Sequence, residues 1–299
     1  MVKQAFANLP VDANVGFRYG DVRHAASVGN RAFREISPNV TALIEKLEKF
    51  MLLVCCGMPR SASTLQFNLA WQIVEHAKLG TRVEWRPSSE WEGATDEIVK
   101  LAESSKYHVV KMHFPPKSIR EYAESSDRLH FVYVHRDIRD VIASMQIKFA
   151  FSITHAISRV RDALETEHWL QNGPKGKVLV QEYQLLLTDL SAAMEQLSSF
   201  VSANLDDAQK AQLLNELGID SAYEKSRQKR VPFEHFRRRI GRLLGMKTVF
   251  ADEKLMLHPN HVSAHKGEMG IWQTALDQSD VELIEAQFGD RIRQGFEIV

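Results

Sequence analysis

The sequence predicts an α/β fold: a central parallel β-sheet flanked by helices, followed by a largely helical C-terminal part. Three observations predict it. Short continuous apolar runs recur as FMLLVCCG at 50–57, YHVVKMH at 107–113, LHFVYVH at 129–135 and KVLVQEY at 177–183. Helical patterns separate these runs, and such alternation needs crossovers between parallel strands buried on both faces. Beyond residue 190 the pattern is mostly helical, with Leu197, Phe200 and Val201 on one face and Leu213, Leu214 and Leu217 on another.

Residues 1–38 mix Gly, Asn, Asp and Ala without periodicity and read as an irregular arm ending at Ser37-Pro38. Val40, Leu43, Ile44 and Leu47 then suit an amphipathic helix, so 1–48 is expected to be an arm and helix and 49–299 a single domain. The run at 50–57 is the first buried strand. A helix over Thr64–Ala77 follows, its stripe formed by Leu65, Leu69, Ile73 and Ala77. The second strand runs into Lys111-Met-His113-Phe-Pro115, and the third into Arg136-Asp-Ile-Arg-Asp-Val-Ile-Ala-Ser144, whose helical stripe continues through Val141, Met145 and Phe149. The fourth ends at Tyr183. Nothing in the chain repeats.

Lys+Arg and Asp+Glu both number 38 in 299 residues, so the chain has no global field for nucleic acid or an anionic membrane. An anion site must be built locally. Cys55 and Cys56 sit side by side in an apolar run and read as small buried hydrophobes, not as a disulfide framework or metal ligands. The apolar stretch Phe50–Met58 is too short to span a bilayer, and the N-terminus lacks the order of a signal peptide, so a cytoplasmic location is the default expectation. Monomer and homodimer both stay open.

The segment Gly57-Met-Pro-Arg-Ser-Ala-Ser-Thr64 joins the first strand to its helix, where free amides and the positive helix end face outward and suit an anion. Laid on a Walker A loop, Gly57 and Thr64 match, but Ala62 stands for the second Gly and Ser63 for the phosphate-binding Lys, which disfavours a Mg-dependent NTPase. The donors left are Arg60, Ser61, Ser63, Thr64 and the local amides, including those of Ala62 and Leu65. A Ser-rich helix start after a core strand is the plainer reading of the same residues.

PRSASTL at 59–65 resembles the 5′-phosphosulfate loop of the sulfotransferases that use 3′-phosphoadenosine 5′-phosphosulfate (PAPS), with Ala62 where Gly is usual. Arg136 with Ser144 eight residues later resembles the family's 3′-phosphate segment. Lys266-Gly-Glu-Met-Gly-Ile-Trp272 resembles its K-G-x-x-G-x-W nucleotide loop, with His265 where Arg often precedes the Lys. Lys111-Met-His113-Phe-Pro115 resembles K-x-H-L-P of the small-molecule members, and Tyr183 sits where many relatives carry a Tyr that reaches the adenine. Together these matches span most of 50–275.

The resemblance implies a P-loop NTPase-like sulfotransferase fold with PAPS as donor, 3′-phosphoadenosine 5′-phosphate (PAP) as product and no metal. It also implies roles for single residues: His113 as catalytic base, Arg60 and Lys111 beside the transferred group, and Ser61, Ala62, Ser63, Thr64 and Leu65 around the 5′-phosphosulfate. Arg136, Ser144, His265, Lys266 and Gly267 would hold the 3′-phosphate. The acceptor is expected to be a small molecule sulfated on a hydroxyl or on an amine or amide nitrogen.

Arg86-Pro-Ser-Ser-Glu90-Trp91 falls where relatives with apolar acceptors place an apolar loop, and its polarity suggests a polar acceptor, such as a cationic natural product. Trp85, Glu90 and Trp91 are the candidate acceptor contacts. The basic stretch over 225–250, with Phe233 and Phe236 interleaved, is expected to be a lid. A solvated basic helix or a polyanion-binding surface is the alternative there. Two rival functions remain: a P-loop small-molecule kinase, against which Ser63 speaks, and a non-catalytic polyanion-binding protein, against which His113 speaks.

Overall fold

The computed structural model describes residues 51–227, 252–258, 261–263 and 265–294. The expected N-terminal arm and helix lie outside them, as does the expected lid except for residues 225–227.

A five-stranded, wholly parallel sheet forms the centre, in the order β2-β3-β1-β4-β5. Its strands are β1 (Leu52–Gly57), β2 (Gly80–Arg82), β3 (Tyr107–Lys111), β4 (Leu129–His135) and β5 (Val178–Glu182). Four of the five are the expected apolar runs. The unexpected one, β2, is a three-residue edge strand of half-exposed residues, too short and too polar to register as an apolar run.

The central strands are continuous in hydrophobicity because both faces are covered. Alternate residues of β1 point opposite ways. Leu52, Val54 and Cys56 pack with Phe131 and Tyr133 of β4 on one face, and Leu53 and Cys55 pack with Val132 and Val134 on the other. The first face is covered by α2 (Thr95–Ala102), α3 (Lys117–Ser125), α4 (Ile138–Phe149) and α5 (Ile153–Asn172), through Ile98, Ile119, Val141 and Ala163. The second face carries α1 (Ser63–His76), and further along the chain come α6 (Tyr183–Thr188), α7 (Leu190–Phe200), α8 (Asp207–Leu217) and α9 (Ile219–Arg227). Phe67, Leu197 and Leu213 cover that face. Each such fully buried side chain contributes about 1.5–3 kcal/mol. Two last helices, α10 (Trp272–Ala275) and α11 (Gln278–Gln294), follow, and Ile284 and Phe288 of α11 join the first face.

The strand order sets the site. Chain order leaves β1 for β3 on one side and β4 on the other, so a crevice opens beyond the carboxyl ends of these three strands. The segments singled out in the sequence follow those ends: 57–65 after β1, 111–115 in and after β3, 136–144 after β4.

Candidate active site

The loop between β1 and α1 is shaped by three backbone demands. At Gly57 a Cβ would meet the Val134 Cγ1 at 2.6 Å and the Val134 carbonyl at 2.8 Å, so only glycine fits the approach of β1 to β4. Arg60 (φ 62°) and Ala62 (φ 63°) are both left-handed, a conformation that suits glycine and costs other residues about 1–2 kcal/mol. Ser61 lies between them, wholly buried. Its hydroxyl faces the carbonyls of Met58 (2.6 Å) and Val134 (3.2 Å), so it braces the loop on β4 and does not line the cavity.

Ala62 occupies the cap position of α1 with no side chain capping the helix, and the first helical bond runs from the Gln66 N–H to the Ala62 carbonyl. Ser63, Thr64 and Leu65 form the uncapped first turn and line a cavity of about 270 Å³. The positive end of the helix dipole is thus directed at that space.

Two side chains from the end of β3 enter the same cavity. The Lys111 ammonium donates to the Thr64 hydroxyl at 2.5 Å, and burial pulls it down to about 8. His113 is half-buried, and its Nδ1 donates to the Gly57 carbonyl at 3.2 Å, leaving the Nε2 lone pair as acceptor. Burial first, then the Lys111, Arg159 and Arg60 charges, push this imidazole down to about 4, against the support of its bond to Gly57. It is neutral at physiological pH and able to take a proton.

A third group enters from β4. Arg136 is buried, donates to the Arg60 carbonyl (3.1 Å) and the Glu268 carbonyl (3.1 Å), pairs with Asp140 at 3.4 Å and stacks 4.0 Å over the Tyr183 ring. Its Nε is buried with no hydrogen-bond partner. Arg60 donates through Nε to the Ser144 hydroxyl at 3.0 Å. The Tyr183 hydroxyl donates to the Gly267 carbonyl at 2.8 Å. Tyr183 is the first residue of α6, one step past the strand it was expected to end.

Asp140, which the sequence reading passed over, organises the C-terminal loop. Its carboxylate accepts the backbone N–H of Gly270 (2.8 Å) and of Trp272 (3.2 Å) while facing Arg136, and it is almost wholly buried. One carboxylate on α4 thereby fixes the glycine loop and the arginine together. His261, also passed over, lines the cavity with Asn68, Lys148 and His258.

Several expected site residues lie elsewhere. Lys266 points away from the cavity, with its ammonium on the Asp220 carboxylate at 2.5 Å, and His265 is exposed, 3.8 Å from the Glu268 carboxylate. The acceptor contacts expected at residues 85–91 stand apart from this cavity. Trp91 is 1% exposed and belongs to the core, its ring covered by the Arg86 guanidinium at 3.6 Å and its carbonyl bonded by the Ser118 hydroxyl. Trp85 and Glu90 are exposed and do not line the cavity, and Arg86 pairs with Glu97. A large ring fills core space more favourably than it lines a polar rim.

Cys55 and Cys56 are buried free thiols, pushed well up by burial. Among the described residues no His, Cys, Asp and Glu cluster suits a metal ion, and no helix is long and apolar enough to cross a membrane.

No curated protein is significantly similar to the chain in sequence. Among solved structures, mouse sulfotransferase SULT7A1 complexed with PAP matches with a TM-score of 0.51 and 11% identity, over 83% of this chain and 86% of that one. Retinol dehydratase in complex with androsterone and the inactive cofactor PAP matches with a TM-score of 0.48 and 15% identity, over 83% of this chain and 82% of that one. The mouse enzyme's likeness is one of fold: the same sheet with helices around it. The model of the sulfotransferase domain matches residues 39–294, which takes in every strand and the whole cavity wall, and the chain therefore belongs to the sulfotransferase family.

Proposed function

We propose that the chain moves a sulfuryl group from PAPS to a hydroxyl or amine nitrogen of a small acceptor, with His113 as the base. The observation that carries this reading is the meeting, at the ends of β1, β3 and β4, of an uncapped helix N-terminus, two buried cations and a neutral imidazole with a free Nε2 lone pair. The residues fit a nucleotide bearing several phosphates. Arg60, Lys111, Arg136 and Lys148 line the cavity against Glu216 and Glu268, and the orphaned Arg136 Nε is a buried donor without an acceptor.

When bound, PAPS supplies the sulfuryl group and departs as PAP. The first-turn amides of α1 with Ser63 and Thr64 would hold the 5′ side, and Arg136 with Ser144 the 3′-phosphate. His113 takes the acceptor's proton as the acceptor atom bonds to sulfur and the bond from sulfur to the phosphate oxygen breaks. Such a base is worth about 10²–10⁴-fold. Arg60 and Lys111 offset the charge on the released oxygen. Lys266 joins the 3′-phosphate only by leaving Asp220. We read the partners as small molecules, not nucleic acid or membrane.

Calorimetric titration with PAP, 5′-AMP and ATP plus Mg²⁺ tests the donor site. Strong preference for PAP supports it, and preference for Mg-ATP would promote the kinase reading instead. His113→Ala should abolish transfer while PAP still binds; if transfer survives, the base is another group. Binding of PAP without any transfer by the wild-type protein would favour a non-catalytic binding protein.

A further inference from the structure

His261 has no part in the donor site, yet it shares the cavity wall with His113. The two imidazoles are held in opposite tautomers. At His113 the proton is on Nδ1, given to the Gly57 carbonyl. At His261 Nδ1 accepts the backbone N–H of His258 at 3.4 Å, which places the proton on Nε2. The same turn is closed by the His261 N–H on the His258 carbonyl at 2.9 Å, and the two rings stack with centroids 5.7 Å apart. One imidazole offers a lone pair to the cavity's chemistry and the other a donor.

The surroundings are cationic. Burial, followed by the charges of Arg60, Lys111, His258 and Lys148, holds His261 neutral, well below its ordinary range. Of these cations, Arg60 and Lys111 belong to the donor site. Lys148, in the last turn of α4, lines the same cavity and is given no single phosphate to hold. Of the two carboxylates on the cavity wall, Glu216 pairs with Lys254 at 2.7 Å, and the exposed Glu268 side chain lies 3.8 Å from His265. Leu65, Phe149, Leu257 and Val262 add apolar wall.

We propose that His261 sets acceptor specificity by donating its Nε2–H to an acceptor oxygen other than the one sulfated, and that this oxygen belongs to an acid group. The acceptor is then a small hydroxy acid with an apolar or aromatic body. This deepens the sulfotransferase reading above and rests on its donor site.

The protein saturated with PAP is titrated calorimetrically with 4-hydroxybenzoate and with its methyl ester, a neutral counterpart, so that no turnover is needed. The acid should bind at least about tenfold more tightly than the ester, the usual worth of a hydrogen bond to a charged group. In His261→Ala the preference should shrink to about threefold or less. His261→Gln, which keeps a donor, should recover part of it, and retained PAP affinity shows that each variant is folded. Equal or tighter binding of the ester, binding of neither probe, or an unchanged preference in His261→Ala overturns the proposal. Failure of PAP itself to bind overturns the donor reading and this one with it, whereas PAP binding without preference for the acid overturns this one alone.

Discussion

Arg60 and Ser144 lie 84 residues apart in sequence and are joined by a single hydrogen bond, Nε to Oγ, at 3.0 Å. It links the loop after β1 to the middle of α4, the two segments assigned to opposite ends of the donor nucleotide. Ser144→Ala removes that bond together with the hydroxyl assigned to the 3′-phosphate. PAP affinity should fall about tenfold, while 5′-AMP, which lacks that phosphate, is bound as before. Parallel titrations of the two nucleotides separate the outcomes, and an equal loss on both would place Ser144 in the loop's architecture only.

Ala62 holds a left-handed backbone that glycine adopts without strain. Ala62→Gly relieves the Cβ clash but loosens the unfolded chain, and the first effect is the larger at positive φ. The variant should be more stable by about 1 kcal/mol, read as a higher denaturation midpoint at an unchanged m-value.

His113, His130 and His135 are each pushed down to about 4, chiefly by burial. Unfolded, they titrate near 6.5. Between pH 6.5 and 4 the unfolded chain therefore binds protons that the folded chain does not, and stability falls as pH falls through that window. Each histidine contributes at most about 1.4 kcal/mol per pH unit, less where solvent reaches the ring. Denaturant midpoints across pH 4–7 measure it, and loss of slope in His130→Gln would identify one contributor. On the alkaline side, Lys111 at about 8 loses its charge early. PAP affinity should weaken above pH 8, and Lys111→Arg should move that limb upward.

Asp140 and Gly267 test the C-terminal loop from two sides. Asp140→Ala deletes the acceptor of two backbone N–H groups and the buried partner of Arg136, a loss of about 3–5 kcal/mol. Gly267→Ala places a methyl 2.4 Å from the Leu187 Cδ1 and 2.8 Å from the Tyr183 hydroxyl at φ +86°. It should cost PAP affinity more than stability, since the strain lies in the loop and not in the sheet. Thermal unfolding and PAP titration of both variants make the comparison.

Much of this was legible in the sequence, for identifiable reasons. Strands β1, β3 and β4 announce themselves because burial on both faces favours long apolar runs, and β5 by its Val-Leu-Val start, whereas β2 is a three-residue edge strand that leaves no such trace. The meeting of the loop at 57–65 with Lys111 and His113 is legible because segments that follow neighbouring parallel strands open onto one crevice. Trp91 has polar neighbours that suggest an exposed loop, yet its ring lies in the core with Arg86 over it. Asp140 looked like one more charge at a helix start, and only the return of a segment 130 residues later gives it a task. His261 is invisible for the same reason: its place follows from the fold-back at 252–258, where Asp252 and Leu257 form an isolated bridge.

The chain's two thiols, Cys55 and Cys56, are sealed within β1 and far from ionising at neutral pH. To a thiol-directed reagent the native protein is blank. A single cysteine introduced among residues 228–250 would then be the sole labelling point, and a fluorophore there would report directly whether the basic segment responds to nucleotide, with no need to strip the native cysteines from the core.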